Sequence, residues 1–277
     1  MDVNRDIKKF KEAGYVLHLL QHTQSILLAR EALESYLQNI LGQDASLEKY
    51  HEFVQDDDQH TNIHFKMLEF LVRNQFHLDF FRNNRAYFES LIGMDVDVQV
   101  EPHLRIARPN KPQDNIGFHD DISYGCSAYE VSCSFSLTNV VCDGAIKVLS
   151  KSHSQARMKT IGVNNEEVEK GSVKNKLGVP YLFQRFEDET YKSQMTPVPM
   201  EIGEVLCFNI AVVHGQEVNL AMDTRWSLDA RLKSRFFTKT GVKEGYYKPL
   251  FLSPVTETGM QFETINPTIL PNKPTKN

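Results

Sequence analysis

The spacing of apolar residues separates a helical first part of the chain from a remainder that is rich in strands. Apolar positions recur at helical spacing through residues 7–14, 23–42 and 60–92, and a glycine stands at the end of each of the first two runs. This pattern predicts amphipathic helices. The acidic stretch 43–60, with its Asp56-Asp57-Asp58 run, is predicted to be a solvated surface connection, because isolated runs of charge usually face water.

Beyond Gly93 the period changes to two, which is the spacing of side chains on one face of a strand. Alternating segments that predict strands are 96–100, 103–107, 131–137 and 225–232. Residues 204–213 form a near-continuous apolar run, which predicts a strand buried on both faces. Helices followed by many strands predict a mainly β fold, a double-stranded β-helix (jelly roll) core that is buttressed by N-terminal helices.

A length of 277 residues fits one domain with extensions. The patterns divide it into a mostly helical part (1–93), a jelly-roll core (94–237) and a C-terminal extension (238–277). Segment 155–200 is rich in Lys, Glu and Asn and interrupts the strand pattern, so we predict an insertion that acts as a lid. The proline-rich tail from Asn266 is predicted to be extended or frayed.

Composition and charge exclude several classes of partner. The net charge is -5 with both signs interspersed, and without a basic stripe nucleic acid is not predicted as a partner. We also expect no membrane partner and a cytoplasmic location, because the sequence lacks an apolar leader and a long apolar run. The four cysteines show no CxxC pair, which favours reduced thiols over a disulfide framework or a zinc finger.

The candidate chemistry lies in His119-Asp120-Asp121, followed by His214 and Arg225. Two imidazoles and one carboxylate can hold a ferrous ion on one face and leave other coordination positions open. Where the chain is extended, residues i and i+2 project to the same side, so His119 and Asp121 could chelate one ion. A buried arginine could bind a dicarboxylate in a bidentate manner. Taken singly, a core histidine and a structural arginine are the simpler interpretations, and the combination favours a site.

A second His-x-Asp motif, His77-Leu78-Asp79, provides an internal control. It lies in a helical pattern, where residues i and i+2 point about 200° apart and cannot easily chelate one ion. We therefore predict that His77 is a helix-surface or packing residue. Zinc would accept the same ligands as iron, but a zinc hydrolase does not require an arginine at this offset.

Three segments resemble the phytanoyl-CoA dioxygenase-like family of iron(II)/2-oxoglutarate oxygenases. They are GFHDDISYG, DGAIKVLSKSHS and GEVLCFNIAVVHGQEVNLAMDTRWSLDARL, and the resemblance covers roughly Gly14 to Phe236. Asp143-Gly144 stands for the family's Asn-Gly, and the tetrapeptide ending in His153 replaces Pro-Gly-Ser-His. These departures affect a turn, which His153 is expected to fix, and leave the ligands in place.

The resemblance implies roles for individual side chains. The implied iron ligands are His119, Asp121 and His214. The implied 2-oxoglutarate contacts are Arg225 for the distal carboxylate, Ser227 beside it, Thr138 and His103. Arg105 lies where relatives place a side chain that contacts co-substrate or substrate, and Tyr124 and Arg231 could complete a polar substrate pocket. Halogenases of this architecture have a small residue in place of the carboxylate, so Asp121 disfavours halogenation.

The function implied is an Fe(II)- and 2-oxoglutarate-dependent oxygenase that consumes O2 and converts 2-oxoglutarate to succinate and CO2. The expected reaction is oxidation, by hydroxylation in the first instance, of an unactivated C–H bond in a small polar metabolite such as a carbohydrate or natural-product intermediate. Two alternatives stay open at this point. One is a non-catalytic jelly-roll binding protein with a retained metal site, and the other is a zinc hydrolase.

Overall fold

The computed structural model of the protein describes residues 3–162, 184–237, 241–242 and 244–266. The helices are α1 (Val3–Ala13), α2 (Gln24–Leu41), α3 (Tyr50–Phe53), α4 (Asp57–Arg73), α5 (Phe76–Arg82), α6 (Arg85–Ile92) and α7 (Pro254–Ile265). The helices predicted over 7–14 and 23–42 are confirmed, and Gly42 ends α2 with a φ of 110° that favours glycine. Within the described ranges no helix is long and apolar enough to cross a membrane.

The acidic run Asp56-Asp57-Asp58 begins a helix, so the prediction of a surface loop there was wrong. The Asp56 carboxylate accepts a hydrogen bond from the backbone N–H of Gln59 at 2.7 Å and caps α4. Carboxylates in the first turn are favoured because they satisfy free N–H groups and oppose the positive end of the helix dipole. Asp57 also accepts a hydrogen bond from Arg108 at 2.8 Å, which connects α4 to the chain near residue 108.

Twelve strands are found among the described residues. They are β1 (Tyr15–Leu19), β2 (Val96–Gln99), β3 (His103–Ala107), β4 (Glu130–Ser136), β5 (Ile146–Val148), β6 (Thr160–Gly162), β7 (Gln184–Phe186), β8 (Thr196–Val198), β9 (Glu204–Asn209), β10 (His214–Gly215), β11 (Arg225–Ser234) and β12 (Tyr247–Phe251). The main sheet has the order β1-β9-β4-β11-β2-β12, and β3 also pairs with β11. A smaller sheet has the order β10-β5-β8, and β6 pairs with β7.

The main sheet has the helices on one face and, on the other, a cavity that is lined by polar residues such as Ser132 and Arg225. Along β4 the apolar residues Val131, Cys133 and Phe135 belong to the large core that includes the helices. On β11 the fully buried Trp226 lies in the same core, and its indole N–H donates to the carbonyl of Leu47 at 2.7 Å. The serines that alternate with these residues on β4 face the opposite side. The predicted two-residue periods are confirmed, and they fix which side chains reach the cavity.

The apolar run 204–213 forms a strand followed by a tight turn, so one strand over the whole run was not correct. β9 ends at Asn209, whose carbonyl accepts from the N–H of Val212 at 2.8 Å and whose side-chain oxygen accepts from Ala211 at 2.9 Å. An asparagine that satisfies backbone groups in this way favours a turn over continuation of a strand. The turn allows the chain to leave the main sheet and enter the smaller sheet at His214.

Strands from both ends of the chain complete the main sheet. β1, which the sequence patterns did not predict, pairs with β9 along five residues. β12 pairs with β2 and lies in the segment predicted as a C-terminal extension. The predicted insertion 155–200 also contributes β8 to the smaller sheet, where it pairs with β5. Residues 163–183 of the predicted lid and the tail beyond Asn266 lie outside the described residues.

His77 is a packing residue on α5, and its burial determines its pKa. The side chain is 1% exposed, and neither ring nitrogen has a hydrogen-bond partner within the described part of the chain. Burial, with smaller contributions from the charges of Lys248 and Arg82, lowers the pKa of His77 to about 4. The neutral ring is therefore the form that the folded state favours.

We expect His77→Leu to reduce the loss of stability in acid. An unfolded histidine binds a proton below a pH of about 6.5, whereas His77 in the fold does so only near 4, so the wild type loses stability as the pH falls through that window. From neutral pH to pH 5 the free energy of unfolding should fall by about 1 to 2 kcal/mol less in the variant than in the wild type. Urea unfolding at both pH values measures this difference. Equal losses in the two proteins would contradict it.

Candidate metal and co-substrate site

A short backbone bridge brings the two candidate histidines together. The N–H of each residue donates to the carbonyl of the other, His119 to His214 and His214 to His119, both at 2.9 Å. Gly215 permits this approach, because a Cβ atom there would lie 2.8 Å from the carbonyl oxygen of Gly117 and from the Cα atom of Phe118. The two imidazole rings consequently lie 4.5 Å apart between centroids.

Asp121 completes a compact group of possible metal ligands. Asp120 has the extended backbone that the sequence predicted, with φ −110° and ψ 145°. Its neighbours therefore project to one side, and Nε2 of His119 lies 3.6 Å from Oδ1 of Asp121. One donor atom from each of His119, Asp121 and His214 lies within 4.8 Å of the others, and all three residues are buried. The structure thus brings the three predicted ligands together.

Both histidines present the same nitrogen atom to the centre of this group. Nδ1 of His119 lies 2.7 Å from the carbonyl oxygen of Gly117, and Nδ1 of His214 lies 2.9 Å from that of Val212. A carbonyl only accepts, so in each neutral ring Nδ1 carries the proton and Nε2 keeps a free lone pair. Burial, together with the nearby His119, lowers the pKa of His214 to about 4, which keeps the ring neutral at physiological pH.

Arg231 is the charge partner of Asp121. Its Nη2 atom donates to Oδ1 of Asp121 at 2.8 Å. Burial alone would raise the pKa of this carboxyl, but Arg231 and the two histidines hold it well below its usual range. Asp121 is therefore an anion inside the cavity, as a metal ligand must be.

Arg225 is a buried cation in the wall of the cavity. It lies on β11 with 5% of its surface exposed, and its Nε and Nη1 atoms have no hydrogen-bond partner among the described residues. Burial lowers the pKa of its guanidinium to about 10, so it remains charged near neutrality. An unpaired buried cation is costly, which indicates that an anion belongs in this position. Arg225 and the three candidate ligands line one cavity.

Several solved structures of non-heme enzymes are similar to this chain. The apo non-heme monooxygenase ThoJ is 16% identical, covers 91% of this chain and 84% of its own, and has a TM-score of 0.56. The alpha-ketoglutarate-dependent carbocyclase SnoK of nogalamycin biosynthesis is 15% identical, with 88% and 95% covered and a TM-score of 0.52. The epimerase SnoN, in complex with Fe3+, alpha-ketoglutarate and nogalamycin RO, is 15% identical, with 84% and 83% covered and a TM-score of 0.50.

This chain shares the fold of these solved structures, a jelly roll with flanking helices. The predicted fold class is confirmed. No family model matches the sequence, and no curated protein matches it either. At such low identity the likeness establishes the fold, while the arrangement of the site rests on the residues of this chain.

Several other predicted residues lie on the same face of the main sheet. His103 and Arg105, two residues apart on β3, both line the cavity, as does Arg231. Ser227 lies between Arg225 and Asp229 on β11, and its hydroxyl donates to Asp229 at 3.3 Å. Ser227 is therefore near Arg225 along the strand but is engaged with a carboxylate.

Thr138 and Tyr124 are not among the residues that line the cavity. The Thr138 hydroxyl is fully buried and accepts the backbone N–H of Trp226 at 3.0 Å, because β4 has ended and the side chain replaces a sheet hydrogen bond. Tyr124 packs its ring edge-on to His119 at 5.4 Å between centroids. His153, which was expected to fix a turn, lies with Nε2 3.2 Å from the carbonyl oxygen of Lys11.

The sequence patterns did not identify Asp229 and Gln99 as parts of the site, although both line the cavity. Asp229 shares the parity of Arg225 and Arg231 on β11, so the two-residue period could have identified it. It accepts from Ser134 at 2.6 Å and from Arg105 at 3.3 Å, which neutralises one positive charge in the cavity. Gln99 gave no comparable signal, because its role depends on strand pairing.

Proposed function

We propose that this protein is an Fe(II)- and 2-oxoglutarate-dependent oxygenase that oxidises an unactivated C–H bond of a small polar metabolite. The observation that carries the proposal is the buried guanidinium of Arg225, with two donors unpaired among the described residues, in the same cavity as the group His119, Asp121 and His214. A metal group alone would fit many functions. A metal group with an anion site beside it fits a chelating dicarboxylate co-substrate.

The donor set suits iron(II). Two imidazole nitrogens and one carboxylate oxygen on one side of an ion form the facial triad of non-haem iron oxygenases, which leaves positions open for co-substrate and O2. The Nδ1 contacts to Gly117 and Val212 fix both ring orientations, as outer partners of metal-bound histidines commonly do. His119, Asp121 and His214 would hold the ion without rearrangement of their backbone.

Arg225 would bind the carboxylate of 2-oxoglutarate that lies away from the metal. Its Nε and Nη1 donors are unpaired among the described residues, so a bound carboxylate would satisfy at least one of them and neutralise the buried charge. The apolar side chains of Ile116, Ile146 and Phe208 also line the cavity and would limit access of water to a bound co-substrate. When both are bound, iron and 2-oxoglutarate supply the oxidant: O2 and 2-oxoglutarate are consumed, C–H becomes C–OH, and succinate and CO2 are released.

The substrate class follows from the polar wall of the cavity. Gln99, His103 and Arg105 line it, and Arg105 contacts Asp229 through Nε only, at 3.3 Å. The remaining guanidinium N–H groups of Arg105 can donate hydrogen bonds to hydroxyl or carboxylate groups, and a lipid chain would leave them unpaired. A small polar metabolite therefore suits this cavity better than an apolar one.

The proposal is tested first by anaerobic addition of Fe(II) and 2-oxoglutarate to the metal-free protein. We expect a weak visible charge-transfer band that needs both components, followed by O2-dependent succinate formation with at least one member of a panel of sugars, hydroxy acids and natural-product intermediates. Absence of the band would reject the proposal and favour a non-catalytic binding protein. Tightly bound zinc with activity that survives without O2 would favour a hydrolase instead.

A further inference from the structure

Both terminal nitrogen atoms of the Arg231 guanidinium are engaged by groups of the protein, while its Nε is buried without a partner among the described residues. Nη2 of its guanidinium donates to Oδ1 of Asp121 at 2.8 Å, and Nη1 donates to the hydroxyl of Tyr246 at 2.7 Å. The side chain is 13% exposed and that of Asp121 is 4% exposed. An ion pair so well shielded from water is much stronger than one at the surface. The sequence suggested that Arg231 contacts the substrate, whereas in the structure it contacts Asp121 and Tyr246.

The surroundings of Arg231 hold its guanidinium in place from two sides. Its backbone N–H donates to the side-chain oxygen of Gln99 at 3.1 Å, and the residue pairs with Ser132 across the main sheet. Tyr246 is fixed in turn, because its carbonyl accepts the N–H of Val100 at 2.9 Å just before β12 begins. The backbone that carries Arg231 is thus part of the main sheet, and side chains on strands are placed more precisely than side chains on loops.

We infer that Arg231 is a positioning residue that orients Asp121 for the metal. A carboxylate has two oxygens and about four lone-pair directions, so it can accept a guanidinium and bind an ion at the same time. Held by Arg231, Asp121 keeps one orientation toward His119 and His214. Without Arg231 the buried carboxylate loses its charge partner and can rotate away. This inference rests on the proposed iron site and assigns a role within it.

The Arg231 cation also repels a metal ion at this site, and this repulsion acts against metal binding. Outer partners of metal ligands commonly contribute about 10- to 100-fold to metal affinity, because they fix the ligand and support its charge. Repulsion between Arg231 and the ion acts through the intervening carboxylate, which screens it. We therefore expect support of Asp121 to be the larger effect.

The test is a cobalt(II) titration of the metal-free protein, followed by visible absorbance and calorimetry. Arg231→Gln should raise the Kd for cobalt about 10- to 100-fold. The Kd of Arg231→Lys for cobalt should lie between those of the wild type and Arg231→Gln, because an ammonium group is a point charge and lacks the planar fork of a guanidinium. The cobalt spectrum of Arg231→Lys should shift as Asp121 changes orientation. Tyr246→Phe should cause a smaller change, since the pair with Asp121 remains. Arg235→Gln is the matched control, because it breaks another arginine–aspartate pair, with Asp97 at 2.7 Å, that does not line the cavity, and it should leave cobalt affinity near that of the wild type.

Two failures can be told apart in this experiment. If the wild type does not bind cobalt, the proposed function fails. If the wild type binds and Arg231→Gln binds equally well or more tightly, the role of Arg231 is overturned and the proposed function stands. Should Arg231→Gln not fold, the affinity and spectrum of Arg231→Lys decide by the same criteria, because that variant keeps the buried charge. An unchanged Kd and an unchanged spectrum in Arg231→Lys would then reject the inference.

Discussion

Replacing His214 by alanine should abolish iron binding and 2-oxoglutarate turnover while the fold persists. The substitution removes one of three donors, which should weaken binding by more than the roughly 10- to 100-fold that loss of an outer partner causes. The backbone bridge to His119 does not involve the imidazole and should survive. The ring packs on Phe208 at 4.3 Å between centroids, so its loss should cost a few kcal/mol of stability at most.

Metal titration and thermal unfolding of His214→Ala measure the two parts of this expectation. His77→Ala is the control, since His77 is a buried histidine of the second His-x-Asp motif and lies on α5, outside the cavity. It should keep the iron affinity of the wild type. Iron-dependent turnover in His214→Ala, or loss of metal from His77→Ala with the fold intact, would contradict the assignment of ligands.

Much of the fold could be predicted because each central strand has one face against the helices and the other face toward the cavity. β4 and β11 place apolar residues against the helices and polar residues toward the cavity, so their two-residue periods are strong and specify which face is which. The same periods placed His103, Arg105 and Arg225 on one side. The site could be predicted to the extent that it depends on local extended geometry, as it does at His119 and Asp121.

Features that depend on distant partners could not be read from the sequence. β1 is five residues long and becomes a strand through pairing with β9, almost 200 residues away. The pair of Arg231 with Asp121 joins residues 110 positions apart, so no local pattern reports it. Thr138 has the parity of the cavity-facing serines on β4, but the strand ends at Ser136 and its hydroxyl turns to the backbone. Odd or even position along the chain predicts which face a side chain occupies only within a continuous strand.

Replacing Arg225 by alanine should raise the 2-oxoglutarate requirement strongly and leave metal affinity close to that of the wild type. Loss of one partner from a buried charge pair costs about 2 to 5 kcal/mol, so the Kd for 2-oxoglutarate should rise by at least about 30-fold. No hydrogen bond or ion pair between Arg225 and His119, Asp121 or His214 is found within the described part of the chain, which is why the metal should still bind. The charge-transfer band, titrated with 2-oxoglutarate under anaerobic conditions, gives both values.

A stability measurement separates this role of Arg225 from a structural one. In the protein without co-substrate the guanidinium is buried with two unpaired donors among the described residues, so Arg225→Leu should not lower the free energy of unfolding. At a 2-oxoglutarate concentration near 100 times its Kd the metal-loaded wild type should gain about 2.7 kcal/mol. Arg225→Leu should lose that gain, whereas Arg235→Gln, which alters a pair with Asp97 that does not line the cavity, should keep it. A guanidinium that only supported the fold would show the reverse, a destabilised variant that still responds to 2-oxoglutarate.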